Sequence, residues 1–177
     1  VLQDIYHNFQ GLCKEKAIKL KYIVQRNASF EILGDKHSIY QVVNNLLHNA
    51  IKFTPRNGMI TLKMSRDDRF CYIRIKDTGI GIPKEDLPNV FERFYRVDKS
   101  REMVEGSGIG LTIVKNFVKL NGGSIDVSST VGKGSTFTIK FRLYEIGETD
   151  LKNPSNGEAL TLNNLHENVP PPEEPTT

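Results

Sequence analysis

The chain has 177 residues, two cysteines, no tryptophan and a net charge of +3. A chain of this length is about one domain and buries a core without metals or disulfides. Cys13 and Cys71 have neither CxxC nor metal-ligand spacing, which predicts two reduced thiols and excludes a disulfide-stapled fold. No apolar run approaches the roughly 18 residues that cross a bilayer, and no signal segment opens the sequence. We therefore expect a soluble, cytoplasmic chain without membrane contact.

Charge is distributed unevenly along the sequence. Residues 145–177 contain seven acidic residues and one lysine, whereas residues 1–144 contain 23 basic and 14 acidic residues. The first 144 residues thus carry a net charge of +9, which suits a polyanionic ligand such as a nucleotide. The basic residues form no dense run with interleaved aromatics, and this argues against nucleic acid as a partner.

The N-terminal third predicts a helix, a strand and a second helix. Apolar residues recur at helical spacing from Leu2 to Leu12, and they alternate with lysines over residues 18–24 in the manner of a strand. Asp35 is placed as the N-cap of a long amphipathic helix that ends near Thr54.

The rest of the folded part predicts mainly antiparallel strands. Strands are expected over residues 59–66 and 70–77, a helix over 111–120 and a hairpin over 124–143. Residues 82–106 are charged and patchily aromatic, which is typical of a mobile segment with a short helix. We predict an α+β fold: a two-layer sandwich of a mostly antiparallel mixed sheet with helices on one face.

The composition changes near residue 145 to Asn, Glu, Pro and Thr. Such a segment buries too little apolar area to offset the entropy of ordering, so residues 145–177 are predicted to be a disordered acidic and proline-rich tail. Leu160, Leu162 and Leu165 are apolar residues within it, and the sequence does not indicate where they would dock.

A polar stripe runs along the helix that follows Asp35. Steps of 100° per residue place on it Gln41, Asn45, Asn49 and Lys52. Exposed helix positions more often carry Glu, Lys or Gln than Asn, although an ordinary solvated face stays open as an alternative. Two amides and a lysine offer neutral oxygens for Mg²⁺ and a cation for phosphate.

Strand parity singles out Asp77. It continues the apolar row of Ile73 and Ile75, so its carboxylate is expected to point inward, where it needs donors. A turn built on Asp-Thr-Gly is the alternative. Gly79 and Gly81 would let the backbone approach a ligand closely.

A glycine triplet precedes the third helix. Gly106, Gly108 and Gly110 come just before Leu111, so free N–H groups and the positive helix end would face an anion. The triplet follows an irregular segment rather than a buried strand, which separates it from the dinucleotide fingerprint.

The segment between Gly81 and the triplet contains cations and aromatics. Phe91 and Phe94 are expected to anchor it to the core. Arg96 is expected to contact phosphates when the segment closes, and Lys99 and Arg101 stay open as alternatives.

In this order the four clusters NNLLHNAIK, DTGIG, FERFYR and GSGIG resemble the ATP-binding catalytic domain of two-component sensor histidine kinases, within the GHKL superfamily. The similarity covers about residues 35–141. It implies a Bergerat-type fold, ATP and Mg²⁺ as cofactors, and transfer of the γ-phosphoryl group to a histidine.

The resemblance also implies roles for single residues. Asn49 would be the magnesium ligand, Lys52 would reach phosphate, and Asn45 would line the phosphate end. Asp77 would accept a hydrogen bond from the adenine amino group. Residues 132–137 resemble a terminal GxGTxF element, in which Thr136 would support the adenine end; a hairpin turn with an exposed threonine is the alternative.

Hydrolysing members of the superfamily place a glutamate where this chain has Asn45. An amide is no general base at neutral pH, so the chain is expected to hold ATP without rapid hydrolysis. The predicted catalytic residues are Asn45, Lys52 and Arg96.

The family's acceptor histidine has no counterpart in this sequence. None of its four histidines, His7, His37, His48 and His166, has the acidic residue, arginine and proline that should follow it. The resemblance therefore implies an acceptor on a separate dimerization segment, with residues 1–14 as the end of its helical linker and residues 15–144 as the catalytic domain. The implied partners are that segment and a response regulator, in a parent protein that the resemblance allows to be membrane-anchored.

Two other functions stay open at this point. One is a serine kinase of the anti-sigma type, although those chains are shorter and usually lack a long FERFYR-like segment. The other is an interaction module that binds ATP to control a partner without transferring phosphate.

Overall fold

The computed structural model describes residues 1–97, 107–144 and 159–162. Three helices and seven strands occur in these ranges: α1 (Leu2–Glu15), β1 (Lys19–Val24), β2 (Glu31–Leu33), α2 (Lys36–Phe53), β3 (Met59–Arg66), β4 (Phe70–Asp77), α3 (Gly110–Leu120), β5 (Ser124–Thr130), β6 (Gly134–Arg142) and β7 (Ala159–Thr161). A short 3₁₀ helix, Leu87–Asn89, lies in the segment after β4.

Five strands form the main sheet in the order β1-β3-β4-β6-β5. The pair β1 and β3 is parallel, and every other pair in this sheet is antiparallel. A parallel pair needs a crossover, and here β2 and α2 supply it. The predicted fold class, a mostly antiparallel mixed sheet covered by helices, is confirmed.

The core lies between one face of the sheet and the helices. Alternate residues of β4 are buried, with Ile73 and Ile75 at 0% exposure, and they face an apolar stripe of α2 that includes Val43 and Leu47. Phe141 of β6 is buried by the same alternation. The apolar faces that repeat every 2 residues in the strands and every 3.6 residues in the helix therefore pack together in one core.

Each end of α2 carries a hydrogen bond from a side chain near it in sequence. At its start the Asp35 carboxylate accepts hydrogen bonds from Ser38 N and Ser38 Oγ, both at 2.6 Å, which confirms the predicted N-cap. At its end Thr54 Oγ1 donates to Ala50 O at 2.6 Å. A cap of the first kind stabilises a helix by about 1 kcal/mol.

Helix α1 packs on α2 and β1 through one apolar face. Leu2, Ile5, Phe9 and Cys13 are buried on that face. The Phe9 ring meets the His48 ring of α2 edge to face, with centroids 4.9 Å apart. The predicted N-terminal helix is confirmed; its role as a linker from a dimerization segment stays a prediction.

A second, two-stranded sheet joins β2 to β7 in antiparallel fashion. Ile32 pairs with Leu160, and Leu162 N donates to Phe30 O at 3.0 Å. Leu162 is only 1% exposed. Residues 159–162 thus form a strand within the segment for which disorder is predicted, because they cover apolar residues next to β2. Leu165 and the rest of that segment lie outside the described residues.

Candidate functional site

A cavity of about 480 Å³ opens between α2, α3 and the sheet, within the range usual for small-molecule sites. Its walls are the last turn of α2, the end of β4, the start of β6, the first turn of α3 and the segment after β4. Eight of the twelve predicted ATP-binding residues line it: Asn49, Lys52, Asp77, Gly81, Arg96, Gly108, Gly110 and Leu111.

Asp77 lies at the sheet end of the cavity and is 5% exposed, so the inward orientation predicted from strand parity is confirmed. Its Oδ1 accepts hydrogen bonds from Gly79 N at 2.8 Å and Ser135 N at 3.2 Å. Both of these bonds are made by the same oxygen, which leaves Oδ2 for a donor in the cavity. Burial raises the pKa of Asp77, and the two N–H donors partly offset that rise.

Two glycines around Asp77 occupy positions where a side chain has no room. Gly81 has a φ of +72°, and a Cβ there would lie 2.2 Å from Thr130 O. Gly79 does not line the cavity; its N–H goes to Asp77, and a Cβ would lie 2.5 Å from Phe53 O. The backbone at these glycines thus lies close to other parts of the protein, β5 at Gly81 and the end of α2 at Gly79. The predicted close approach to a ligand stays a prediction.

The polar stripe of α2 divides into two parts. Asn49 and Lys52 line the cavity. Asn45 does not: its Nδ2 donates to Gln41 O at 2.9 Å, and its Oδ1 lies 3.5 Å from where a Cβ on Gly110 would be. The structure therefore places Asn45 at the contact between α2 and the start of α3, one turn away from the cavity.

The first turn of α3 forms the wall opposite Asp77. The helix starts at Gly110 without a side-chain cap, so its first N–H groups have no side-chain partner at the cap. Gly108 has a φ of +69°, and its carbonyl accepts a hydrogen bond from Phe94 N at 3.0 Å. Gly106 lies outside the described residues.

The segment after β4 closes one side of the cavity with Tyr95 and Arg96. The Tyr95 hydroxyl donates to the Asp86 carboxylate. Phe91 anchors the segment as predicted, because its ring meets Phe137 edge to face with centroids 6.3 Å apart. The same prediction is wrong for Phe94, whose side chain is 63% exposed and which is held through its backbone instead.

Lys99 and Arg101, the alternatives to Arg96 as phosphate contacts, lie outside the described residues.

Thr136 lies on the other face of β6 and does not line the cavity. Successive residues of a strand point to opposite faces, so its neighbours Ser135 and Phe137 line the cavity instead. Ser135 is 7% exposed, and its Oγ lies 2.9 Å from Ser129 Oγ. The parity argument that identified Asp77 would have selected Ser135, because Phe137 shares its face.

Sequence reasoning also missed the apolar walls. Ile80, Ile82, Val90, Val131 and Phe137 contribute to the lining. Ile80 is 39% exposed and Val131 is 57% exposed, values that are high for large apolar side chains in a folded domain. Phe137 belongs to the alternating row of β6 and was predictable from it. The other four are single apolar residues in loops, which give no periodic pattern, so the sequence contains no signal for them.

The family model described as "Histidine kinase-, DNA gyrase B-, and HSP90-like ATPase" matches residues 34–145. This range includes every wall of the cavity. The chain belongs to this ATPase family. Its resemblance to the catalytic domains of sensor histidine kinases is confirmed by relatives and solved structures.

Among curated relatives, the sensor histidine kinase WalK of Bacillus subtilis is 40% identical over 143 residues, which are 78% of this chain and 23% of WalK. The phosphate regulon sensor protein PhoR of Pseudomonas aeruginosa is 38% identical over 125 residues, covering 70% of this chain and 28% of PhoR. This member of the ATPase family thus spans about a quarter of these relatives.

Solved structures of sensor kinases have the same fold. The mycobacterial sensor histidine kinase MprB has a TM-score of 0.68 and 26% identity, covering 82% of this chain and 96% of that one. Full-length ShkA in complex with AMPPNP has a TM-score of 0.72 and 26% identity, covering 82% of this chain and 30% of ShkA. Among the described residues, no helix has the length and apolar character needed to cross a membrane.

Proposed function

We propose that this chain binds Mg·ATP in the cavity and presents the γ-phosphoryl group to a histidine on a dimerization segment of the same parent protein. The observation that carries the proposal is the pairing of a buried carboxylate, Asp77, with a cationic and N–H-rich wall across one cavity. Adenine and a triphosphate are the two ends of one ligand with those requirements.

Adenine fits the end at Asp77. Its exocyclic amino group supplies the donor that Oδ2 lacks, and a buried carboxylate without that donor would be costly. Ile80, Ile82 and Phe137 supply apolar surface for the base. The same contacts disfavour guanine, which carries a carbonyl where adenine carries the amino group.

The triphosphate fits the end formed by α2 and α3. The uncapped N-terminus of α3 offers N–H groups and the positive end of the helix dipole, and Lys52 and Arg96 add two cations. Asn49 suits a magnesium ligand because it lines the cavity and its side chain carries a neutral amide oxygen. When bound, Mg²⁺ offsets the negative charge of the phosphate oxygens.

The described lining favours transfer over hydrolysis. Asp77 is the one carboxylate among the lining residues in the described ranges, and its Oδ1 already accepts two N–H groups. Asn45 is an amide and cannot take a proton from water. In the transfer, the bond between the γ-phosphorus and the leaving ADP oxygen breaks, a phosphorus–nitrogen bond forms, and the histidine proton goes to a base outside this chain.

The relatives support the kinase function over the two alternatives. WalK and PhoR are named as sensor proteins, WalK as a histidine kinase, and ShkA was solved with an ATP analogue. By this analogy we propose the acceptor segment and a response regulator as partners.

Calorimetric titration with a non-hydrolysable ATP analogue, with and without Mg²⁺, tests the binding step. Asn49→Ala is expected to remove most of the magnesium-dependent gain in affinity, about tenfold or 1.4 kcal/mol, because the metal loses its amide oxygen. Asn44→Ala, one position off the polar stripe of the same helix, is the matched control and should bind like the wild type. Equal magnesium dependence in Asn49→Ala and the wild type would contradict the metal assignment.

The transfer step is tested in the full-length parent with radiolabelled ATP. Label that is stable in base and lost in acid identifies phosphohistidine. Nucleotide binding without such label would favour the interaction module, whereas acid-stable label would favour a serine kinase.

A further inference from the structure

The last turn of α2 carries both Asn49 and Lys52, so whatever fixes that turn also fixes the phosphate end of the cavity. An α-helix leaves its last four carbonyls without partners inside the helix. In α2, Ala50 O accepts from Thr54 N at 3.0 Å and from Thr54 Oγ1 at 2.6 Å. Phe53 O accepts from Ile80 N at 3.2 Å.

The other two carbonyls share one donor from a different element. Lys16 Nζ donates to Ile51 O at 2.5 Å and to Lys52 O at 3.0 Å. Charge-assisted hydrogen bonds are stronger than neutral ones, and a cation at a helix C-terminus also interacts favourably with the helix dipole. Lys16 therefore provides the hydrogen-bond donor for two of the last four carbonyls of α2, although it lies 35 residues before Ile51 in sequence.

Lys16 is held where its ammonium reaches those carbonyls. It follows the last residue of α1 and precedes Ala17, which has a φ of +54°. Ala17 O accepts from Asn57 N at 2.8 Å, and Ile18 N donates to Cys13 O at 2.7 Å. The junction between α1 and β1 is thus fixed by its backbone, and Lys16 itself is only half-buried.

We infer that Lys16 is a positioning residue for the nucleotide's phosphates. Its hydrogen bonds connect the end of α1 to the last turn of α2, and they thereby hold Lys52 and Asn49 in the orientation in which they line the cavity. This inference rests on the proposed function. It also gives α1 a mechanical connection to the site, because a displacement of the C-terminal end of α1 would move the donor that terminates α2.

The test compares two ligands and a matched control. Lys16→Met is expected to weaken binding of the ATP analogue with Mg²⁺ by about three- to tenfold, because the last turn of α2 loses the two hydrogen bonds that Lys16 donates. Binding of adenosine, which has no phosphates and reaches only the Asp77 end, should be unchanged. Lys16→Arg should restore much of the loss, and Lys14→Met, at an exposed position two residues earlier, should leave both affinities as in the wild type.

A double-mutant cycle with Lys52→Met distinguishes positioning of Lys52 from a non-specific loss of order in the domain. If Lys16 acts chiefly through Lys52, Lys16→Met should cost clearly less affinity in the Lys52→Met background than in the wild type. Equal loss in both backgrounds, equal loss for adenosine and the ATP analogue, or unchanged binding in Lys16→Met would each overturn the inference. Should Lys16→Met fail to fold in thermal melts, Lys16→Gln, which keeps a donor without the charge, carries the same test. A wild-type chain that binds no nucleotide would instead refute the proposed function.

Discussion

The two ends of the cavity are built in different ways. At the Asp77 end, the carboxylate is held by two backbone N–H groups. Other backbone segments of the protein pass so close to Gly81 and Gly134 that neither position has room for a Cβ. At the other end the cationic contacts are the long side chains of Lys52 and Arg96. One end is shaped by the backbone, and the other is completed by side chains with several rotatable bonds.

Because of this difference, we expect the Asp77 end to contribute mainly selectivity for the base and the cationic end mainly affinity for phosphate. In the proposed binding mode, a backbone-held acceptor loses little entropy when adenine binds, so we expect the Asp77 end to discriminate between bases at a small entropic cost. Lysine and arginine side chains each carry about 2 kcal/mol of rotamer entropy, part of which is lost on binding phosphate. The cationic end therefore tolerates variation in the ligand better than the carboxylate end does.

The largest expected effect comes from filling the space at Gly81. Gly81→Ala would bring a Cβ within 2.2 Å of Thr130 O at a φ of +72°, and we expect a loss of about 3 kcal/mol or more in the free energy of unfolding. Gly132→Ala is the matched control, because its φ is +75° but nothing lies within 4 Å of the added Cβ. It should cost about 1 kcal/mol from backbone strain alone. Similar urea midpoints for the two variants would mean that the Asp77 end is not rigid.

The next effect concerns recognition rather than stability. Asp77→Asn keeps an oxygen for Gly79 N and Ser135 N but turns an amino group toward the cavity, where adenine also presents a donor. We expect about ten- to a hundredfold weaker nucleotide binding, or roughly 1.4–2.8 kcal/mol, with the fold retained. Calorimetry and thermal melting measure the two quantities separately. A large drop in melting temperature, or unchanged affinity, would argue against a role of Asp77 in base recognition.

The smallest effect is a pH dependence at the same residue. Burial raises the pKa of Asp77 in the folded protein. A carboxyl with a raised pKa stabilises the fold while protonated, and this contribution is lost as pH rises from the unfolded-state pKa, about 3.9, through the folded one. Asp77→Asn cannot ionise, so its stability relative to the wild type should increase over that rise in pH. Urea unfolding of both proteins from pH 3 to 7 measures the difference, and a constant difference would contradict the burial argument.

Sequence patterns predicted the parts of the fold that repeat. The alternation in β3, β4 and β6 and the apolar stripe of α2 extend over several periods, and the Asp35 cap is a local hydrogen bond. The three-residue strands β2 and β7 are too short for a period, and β7 lies in a polar stretch. The parallel pairing of β1 with β3 depends on the crossover rather than on either strand's own residues.

The candidate site was predictable where a residue's face was predictable. Asp77, Asn49 and Lys52 followed from periodicity and line the cavity. Asn45 shares the stripe of Asn49, but periodicity predicts only the direction of a side chain and not which element lies opposite each turn of the helix. At the turn of Asn45 that element is the start of α3. The choice of Thr136 over Ser135 came from motif spacing, and strand parity would have reversed it.

The position of β7 late in the sequence means that part of the core stays uncovered until β7 is synthesised. Phe30 and Ile32 are fully buried, and β7 and Leu162 lie against that part of the chain, although they are made some 130 residues later. Until residue 162 leaves the ribosome, the nascent chain exposes an apolar patch and an unpaired β2 edge just before the start of α2. A nascent chain that stops short of this point would complete its nucleotide cavity and still present an edge to which other strands can add.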